Sequence, residues 1–285
     1  MASLADYGLA GEGRRLGGAG RRVIYIIGDV DTGKTTLAVT LAGLFVRKFR
    51  TAVVDLDAGQ ATVGPPTTLG WALWTRRGPG RARGFYFTGI TSPAGHLAGW
   101  VAGAGMLVAE ARCAAEKVVV DACGLARGAA GRALHHATVD VIRPDVVVAI
   151  ERSRELAELL ERFERAGRPE VIRATVPAGA KARSRAVRRS YRCARFREYF
   201  AGAREVELDL GEVGVLRPRA DPVGRIASLR DASGRDIALA IVEKFDVRKG
   251  TMRVLSPVPG RAKIQAVVLG SMRIARDGRQ LAWNV

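Results

Sequence analysis

Amide side chains are nearly missing from this chain. Among 285 residues there is one asparagine, Asn284, and there are three glutamines, Gln60, Gln265 and Gln280. That scarcity resembles the composition of heat-adapted proteins, which avoid thermolabile amides. Cysteine is also rare. Cys113, Cys123 and Cys193 are far apart and form no CxxC pair. This pattern excludes a disulfide framework or a cysteine zinc site and leaves reduced thiols. His135 and His136 are adjacent, but no ligand cluster surrounds them. No apolar run reaches the ~18 residues that span a bilayer. The N-terminus has no apolar signal-peptide core either. The expectation is a cytoplasmic protein without membrane contact.

What is abundant is positive charge. Lysine and arginine total 46 against 28 acidic residues, for a formal net charge of +18, and most of the cations are arginine. A field of that sign draws polyanions, and arginine grips phosphate with two parallel hydrogen bonds. Nucleic-acid binding and a lineage-wide composition bias account for this charge equally well.

The patterning is α/β. Residues 1–22 are rich in glycine and arginine without clear periodicity and read as an N-terminal tail. Buried strands are expected at Val23–Ile27, Thr51–Leu56, Lys117–Val120 and Asp145–Ile150, with helical spacing between them at Thr36–Phe49. Strands alternating with helices predict a parallel sheet with flanking helices. Glu151–Ala166 reads as a charged amphipathic helix, and Lys181–Phe200 as a helix crowded with arginine. From Ala203 to Val285, short apolar runs alternate with turn signals such as Asp231-Ala232-Ser233-Gly234, which predicts a small β-rich C-terminal domain. The expected domains are thus 23–202 and 203–285.

Gly28-Asp29-Val30-Asp31-Thr32-Gly33-Lys34-Thr35, followed by Thr36, matches the phosphate-binding loop G-x-x-x-x-G-K-[ST] and lies between an expected strand and an expected helix. The glycines let the backbone close tightly, so that successive N–H groups and the helix dipole face an anion. Lys34 is expected on the β- and γ-phosphates of ATP and the Thr35 hydroxyl on Mg²⁺. Two strands end in aspartate, at Asp55-Leu56-Asp57 and at Asp121. Either end can supply the carboxylate that organises the metal, because ligands of parallel sheets bind at the strands' carboxyl ends. Asp55 is expected beside Thr35 at the metal, with Asp57 accepting the proton of an attacking hydroxyl.

Together, the P-loop, Asp55-x-Asp57-x-Gly59-Gln60, Gly64-Pro65-Pro66-Thr67-Thr68, Asp121-Ala122-Cys123-Gly124-Leu125 and the arginine-rich run Arg188–Phe200 resemble the polynucleotide 5′-hydroxyl kinase family. That family comprises P-loop kinases of pre-mRNA cleavage, pre-ribosomal RNA processing and their archaeal homologues. The resemblance implies ATP and Mg²⁺ as cofactors and the 5′-OH end of RNA, or of DNA, as acceptor; it names no protein partner. It places Ala122, Cys123, Gly124 and Leu125 at the family's clasp on substrate, together with Asp57 and Gln60. Arg188 and Arg192 fall in the lid over the triphosphate, and Arg195 one turn further on reaches substrate.

The clasp departs from the family's Thr/Ser-x-Gly-Trp. Its hydroxyl and indole are both missing, with Leu125 at the indole position; Trp71, Trp74, Phe85 and Trp100 are the candidates to stack on a base instead, and ordinary packing is the expected role of each one individually. Eukaryotic members carry an N-terminal β domain, and the 22 residues before Val23 suggest a shorter form. A nucleotide switch and a non-catalytic ATP-bound scaffold are the competing readings. The switch is weakened by the absence of an Asn-Lys-x-Asp guanine motif.

Overall fold

β-Branched runs bounded by glycine and charge build the first sheet. In the computed structural model, which describes residues 3–217, 221–260 and 263–281, the order is α1 (Glu12–Leu16), β1 (Val23–Gly28), α2 (Lys34–Phe45), β2 (Thr51–Asp55), β3 (Thr68–Thr75), β4 (Gly78–Phe87), α3 (Leu97–Ala114), β5 (Lys117–Asp121), α4 (Gly128–Ile142), β6 (Val146–Glu151), α5 (Ala157–Ala166), β7 (Glu170–Thr175) and α6 (Arg185–Phe200). The sheet order is β4-β3-β2-β5-β1-β6-β7. The five strands from β2 to β7 in that order run parallel. β3 and β4 extend the sheet antiparallel. This hairpin escapes a reading based on periodicity because glycine, proline and arginine interrupt its second strand.

Every residue of β1, β2, β5 and β6 is buried, as expected for strands covered on both faces. The period of two divides β1 cleanly. Tyr25 and Ile27 pack with Leu107 of α3 and Leu134 of α4, whereas Ile24 and Ile26 pack with Leu37 and Leu41 of α2.

The second of these cores corrects the expected N-terminal tail. Tyr7, Leu9 and Leu16 are almost fully buried within it, against α2. Their spacing has no period because a single 3-10 turn (Leu4–Tyr7) and the short α1 each contribute only one or two anchors. Two helix starts also differ from expectation. After Glu151 the chain turns, and the Glu155 carboxylate accepts from the N–H groups of Arg152 and Ser153, so α5 begins only at Ala157. Ser184 caps α6 by accepting from the Val187 N–H, which contributes about 1 kcal/mol.

The rest of the chain forms β8 (Arg204–Asp209), β9 (Gly214–Leu216), β10 (Arg225–Arg230), β11 (Asp236–Asp246), β12 (Thr251–Ser256) and β13 (Ala266–Arg273), ordered β8-β12-β11-β10-β13-β9. Pairing in this sheet is antiparallel except between β13 and β9. One face closes over its own core, including Ala227, Val254 and Leu269. The other packs Ile226, Leu239 and Val268 against Phe87 of β4 and against Phe196 and Phe200 of α6. α6 is thereby clamped at its C-terminal end between the two sheets. No helix among the described residues is long and apolar enough to cross a membrane. The expected tail and C-terminal domain each include a few positions outside the described residues.

Candidate active site

The sheet's strand order places the neighbours of β1 on opposite sides at its carboxyl end, which is where the P-loop begins. Gly28 cannot carry a side chain: a Cβ there would lie 2.6 Å from the Thr32 hydroxyl and 2.9 Å from the Ile150 carbonyl. Gly33 adopts φ +89°, and its carbonyl accepts a 2.8 Å hydrogen bond from the Tyr7 hydroxyl. The N-terminal segment thus buttresses the loop from behind. Burial pushes the Tyr7 phenol up to about 12, so it remains a donor. Lys34 is buried and donates to the Asp29 carbonyl at 2.7 Å, which holds its ammonium over the loop. Thr32 also donates to that carbonyl.

A cleft of about 610 Å³ opens over this loop. It gathers most of the predicted site residues: Val30, Asp31, Gly33, Lys34, Thr35 and Thr36 from the loop, Asp57 and Gln60 from the β2 end, Cys123, Gly124 and Leu125 from the clasp, and Arg188 and Arg192 from α6. Thr91 and Ser92, which sequence reasoning did not assign to this site, also line it, as do Lys181 and Arg183 of the arginine-rich segment. The backbone of Gly28, Asp29 and Thr32 shapes the loop without facing the cleft, and Ala122 is buried behind it. Gly124 presses on the P-loop so closely that a Cβ would meet Val30 Cγ2 at 2.8 Å. This contact explains the clasp glycine. Arg195 does not join the cleft; it faces a second groove on the other side of α6.

The two acidic strand ends meet in register, with Asp55 paired to Asp121 on neighbouring parallel strands. Their environments divide their roles. Asp55 is fully committed to the chain: its carboxylate accepts from the N–H groups of Asp57, Thr62 and Val63 and from the Thr62 hydroxyl. It ties the 57–63 loop to the sheet. The Thr35 hydroxyl lies close enough to Asp121 to favour its charged form, while Asp121 Oδ1 is buried without a partner. Burial first, and the facing carboxylate second, raise the proton affinity of Asp121 well above the carboxylate range. Burial and Asp57 raise that of Asp55 less, because four donors hold its charge. Of the two strand ends the sequence offered for a metal, only Asp121 keeps a buried carboxylate oxygen without a hydrogen-bond partner; all four hydrogen bonds to Asp55 come from the chain itself. Burial, with Asp57 nearby, pushes the Cys123 thiol up to about 12, so it is inert in the cleft wall.

Asp57 Oδ1 accepts from the N–H groups of Gly59 and Gln60, which fixes the carboxylate at the cleft's edge. α6 closes the opposite wall. Arg188 donates to Asp31 Oδ2 at 2.7 Å, and the Arg183 N–H donates to the same oxygen at 2.9 Å. Arg183 reaches Gln60 Oε1 at 3.0 Å, and Tyr191 donates to the Ala61 carbonyl. Arg192 rests on Gln280 Oε1 at 3.1 Å with its Nε buried and unpartnered. Among the described residues, none of the candidate tryptophans replaces the clasp indole. Trp71 and Trp100 are buried and donate to Glu110 and to the Leu56 carbonyl, and Trp74 packs beside α2. Phe85 lines the second groove.

A phosphate loop at the carboxyl end of a parallel sheet, an orphaned carboxylate oxygen beneath it and an arginine helix above it define a P-loop protein of the phosphoryl-transfer class. Within that class the chain belongs to the family described as mRNA cleavage and polyadenylation factor CLP1 P-loop, whose model matches residues 28–202. It is 35% identical to a polyribonucleotide 5′-hydroxyl-kinase of Pyrococcus abyssi, over 90% of this chain and 89% of that protein. It is 34% identical to the protein of that name in Pyrococcus furiosus, over 67% of this chain and 54% of that protein. Against Clp1 of Xenopus laevis, also named a polyribonucleotide 5′-hydroxyl-kinase, identity is 29% over 87% of this chain and 60% of that one. Two of these three matches span 54% and 60% of the relative's own length. A chain of the solved Clp1p–Pcf11p complex shares the fold, with a TM-score of 0.75 and 16% identity over 94% of this chain and 79% of that chain.

Proposed function

We propose that this protein is an ATP-dependent polynucleotide kinase that transfers the γ-phosphate of ATP to the 5′-hydroxyl end of RNA, and to DNA ends as a second acceptor. The observation that carries this reading is the opposition, across one cleft, of Lys34 and Thr35 on one wall, Asp57 on a second and Arg188 and Arg192 on a third. A triphosphate laid along the loop meets Lys34 from below and the lid arginines from above. Family membership supports ATP as the donor.

The residues present fit Mg²⁺, because the unpartnered buried Oδ1 of Asp121 and the Thr35 hydroxyl beside it are hard oxygen donors. Asp121 and Thr35 would hold the ion, which would supply positive charge against that of the triphosphate. The chain's own side chains do the rest. Asp57 accepts the proton of the 5′-hydroxyl as that oxygen bonds to the γ-phosphorus. The bond to the β–γ bridging oxygen breaks, leaving ADP. Lys34, Arg188 and Arg192 stabilise the charge that develops on the transferred phosphoryl oxygens. Gln60 and the clasp at Cys123–Leu125 position the terminal nucleotide.

The test is label transfer from γ-labelled ATP with Mg²⁺ to 5′-OH RNA, 5′-OH DNA and their 5′-phosphorylated counterparts, beside Lys34→Ala. Label confined to the 5′-OH strands and lost in the variant is the expected result. ATP binding without transfer to any strand would replace this reading with the scaffold, and hydrolysis indifferent to acceptor would replace it with the switch.

A further inference from the structure

On the far side of α6 from the nucleotide cleft lies a larger groove, of about 950 Å³, between the β3–β4 hairpin and the C-terminal sheet. We infer that this groove holds the single-stranded nucleic acid behind its 5′ end, with Arg81 and Arg83 of β4 on the phosphates. The inference rests on the proposed function and extends it from the terminal nucleotide to the strand that follows.

The groove and the cleft share two walls. The loop after β2 borders the cleft at Gly59 and Gln60 and the groove at Thr62–Gly64. α6 borders the cleft with Arg188 and Arg192 and, one turn later, the groove with Arg195 and Tyr199. Arg195 binds the Gly64 carbonyl at 2.9 Å and so sits where the two spaces adjoin. β4 then leads away from the active site. Its Phe85 pairs with Gly70, which in turn pairs with Asp55 at the carboxyl end of β2, while Gly78 lies at the hairpin's far end.

Charge separates this groove from an ordinary interdomain crevice. Its acidic groups are already engaged. Glu110 holds Trp71 and Arg235, Glu198 holds Arg195, Asp236 holds Arg230, and Asp231 caps its own turn. Arg81 and Arg83 are exposed and pair with no carboxylate among the described residues, and neither do Arg76 and Arg77 at the hairpin tip. Arg83 falls at a bulge, where the pairing jumps from Trp71–Gly84 to Ala72–Ala82. A bulge on an edge strand re-aims a side chain and discourages pairing with another strand. Beside Arg81 and Arg83 the wall carries Phe85, Tyr86 and Tyr199, all half-buried. Unpaired arginines with rings alongside are what a single strand needs, phosphates on the first and bases on the second. An acidic protein segment would leave the rings without a matching surface.

The experiment is fluorescence anisotropy of a 15-nucleotide single strand bound to the full chain, titrated with salt. The proteins are wild type, R81A/R83A, R81Q/R83Q and R47A/K48A. The last removes the same charge from exposed positions after α2, outside the groove. Both groove variants are expected to bind more weakly, with the slope of log K against log salt reduced by about 1.4, at ~0.7 for each lost phosphate contact on a single strand. R47A/K48A should keep the wild-type slope. Three results overturn the assignment: no strand binding by wild type, an unchanged slope in the groove variants, or an equal loss in R47A/K48A. Displacement of the strand by an acidic peptide of equal charge at equal concentration would reassign the groove to a protein and also overturn it. Because binding is read without phosphate transfer, failure of the kinase reading shows separately, as absent label on a strand that still binds.

Discussion

Asp31 is the position where the structure makes a counterintuitive claim about nucleotide affinity. Its carboxylate stands in the phosphate loop and holds two groups of the lid, the Arg188 guanidinium at 2.7 Å and the Arg183 N–H at 2.9 Å. A triphosphate entering the loop must compete with Asp31 for Arg188. Asp31→Asn removes the charge while keeping a residue type that tolerates its left-handed φ of +58°. The side chains of Arg188 and Asp31 are 28% and 17% exposed, so solvent screens the pair only partly. After that discount the pair is worth about 1 kcal/mol. Releasing it, and removing a negative charge beside the triphosphate, should tighten ATP binding roughly fivefold, since 1.4 kcal/mol is tenfold in Kd. Calorimetric titration with a non-hydrolysable ATP analogue and Mg²⁺ measures this directly. The gain should shrink as ionic strength rises. Arg188→Ala loses latch and phosphate ligand together and should bind more weakly than Asp31→Asn. An Asp31→Asn protein that binds the analogue no better than wild type would refute the latch.

Arg192→Ala should reduce turnover by about 10³-fold, as loss of a transition-state arginine does in other P-loop enzymes, with ATP affinity within about threefold of wild type; single-turnover transfer and equilibrium binding together check the split. His135 is fully buried with Nδ1 on the Tyr25 hydroxyl at 2.7 Å, and burial, with Lys34 adding to it, lowers its pKa to about 4. The folded state therefore binds fewer protons than the unfolded chain between about pH 6.5 and 4. The associated stability is present above 6.5 and is lost as pH falls through that window. Its ceiling is about 3 kcal/mol, and His135→Gln should flatten the fall in urea midpoint between pH 7 and pH 4.5; an acid limb as steep as wild type's would show that other groups carry it.

The distribution of what was readable follows the range of the interactions. The P-loop, its strand and its helix are consecutive, so their pattern alone places Lys34 and Thr35. The β3–β4 hairpin was not readable, because Gly78, Gly80 and Gly84 with Pro79 break its alternation, and its pairing is held by β2 and by contact with the C-terminal sheet. The N-terminal anchors Tyr7, Leu9 and Leu16 have no periodicity to announce them. Only a folded core reveals that three isolated apolar residues fill one cavity beside α2.

By itself the sequence determined the chemistry available: a phosphate loop, two acidic strand ends, a clasp glycine and a dense arginine helix. Each is a local feature, set by spacing within a few residues and by backbone rules that hold in any context. The tertiary structure alone decided what surrounds each of those groups. Asp55 and Asp121 look alike in the chain. The fold surrounds Asp55 with four donors and leaves an oxygen of Asp121 buried and free, and that difference arises from the return of the 57–63 loop over the sheet. In the same way, Arg188, Arg192 and Arg195 share a helical face in the sequence. The chain's course on either side of α6 sends the first two to the nucleotide cleft and the third to the groove, because a helix clamped between two sheets presents different neighbours to each of its turns.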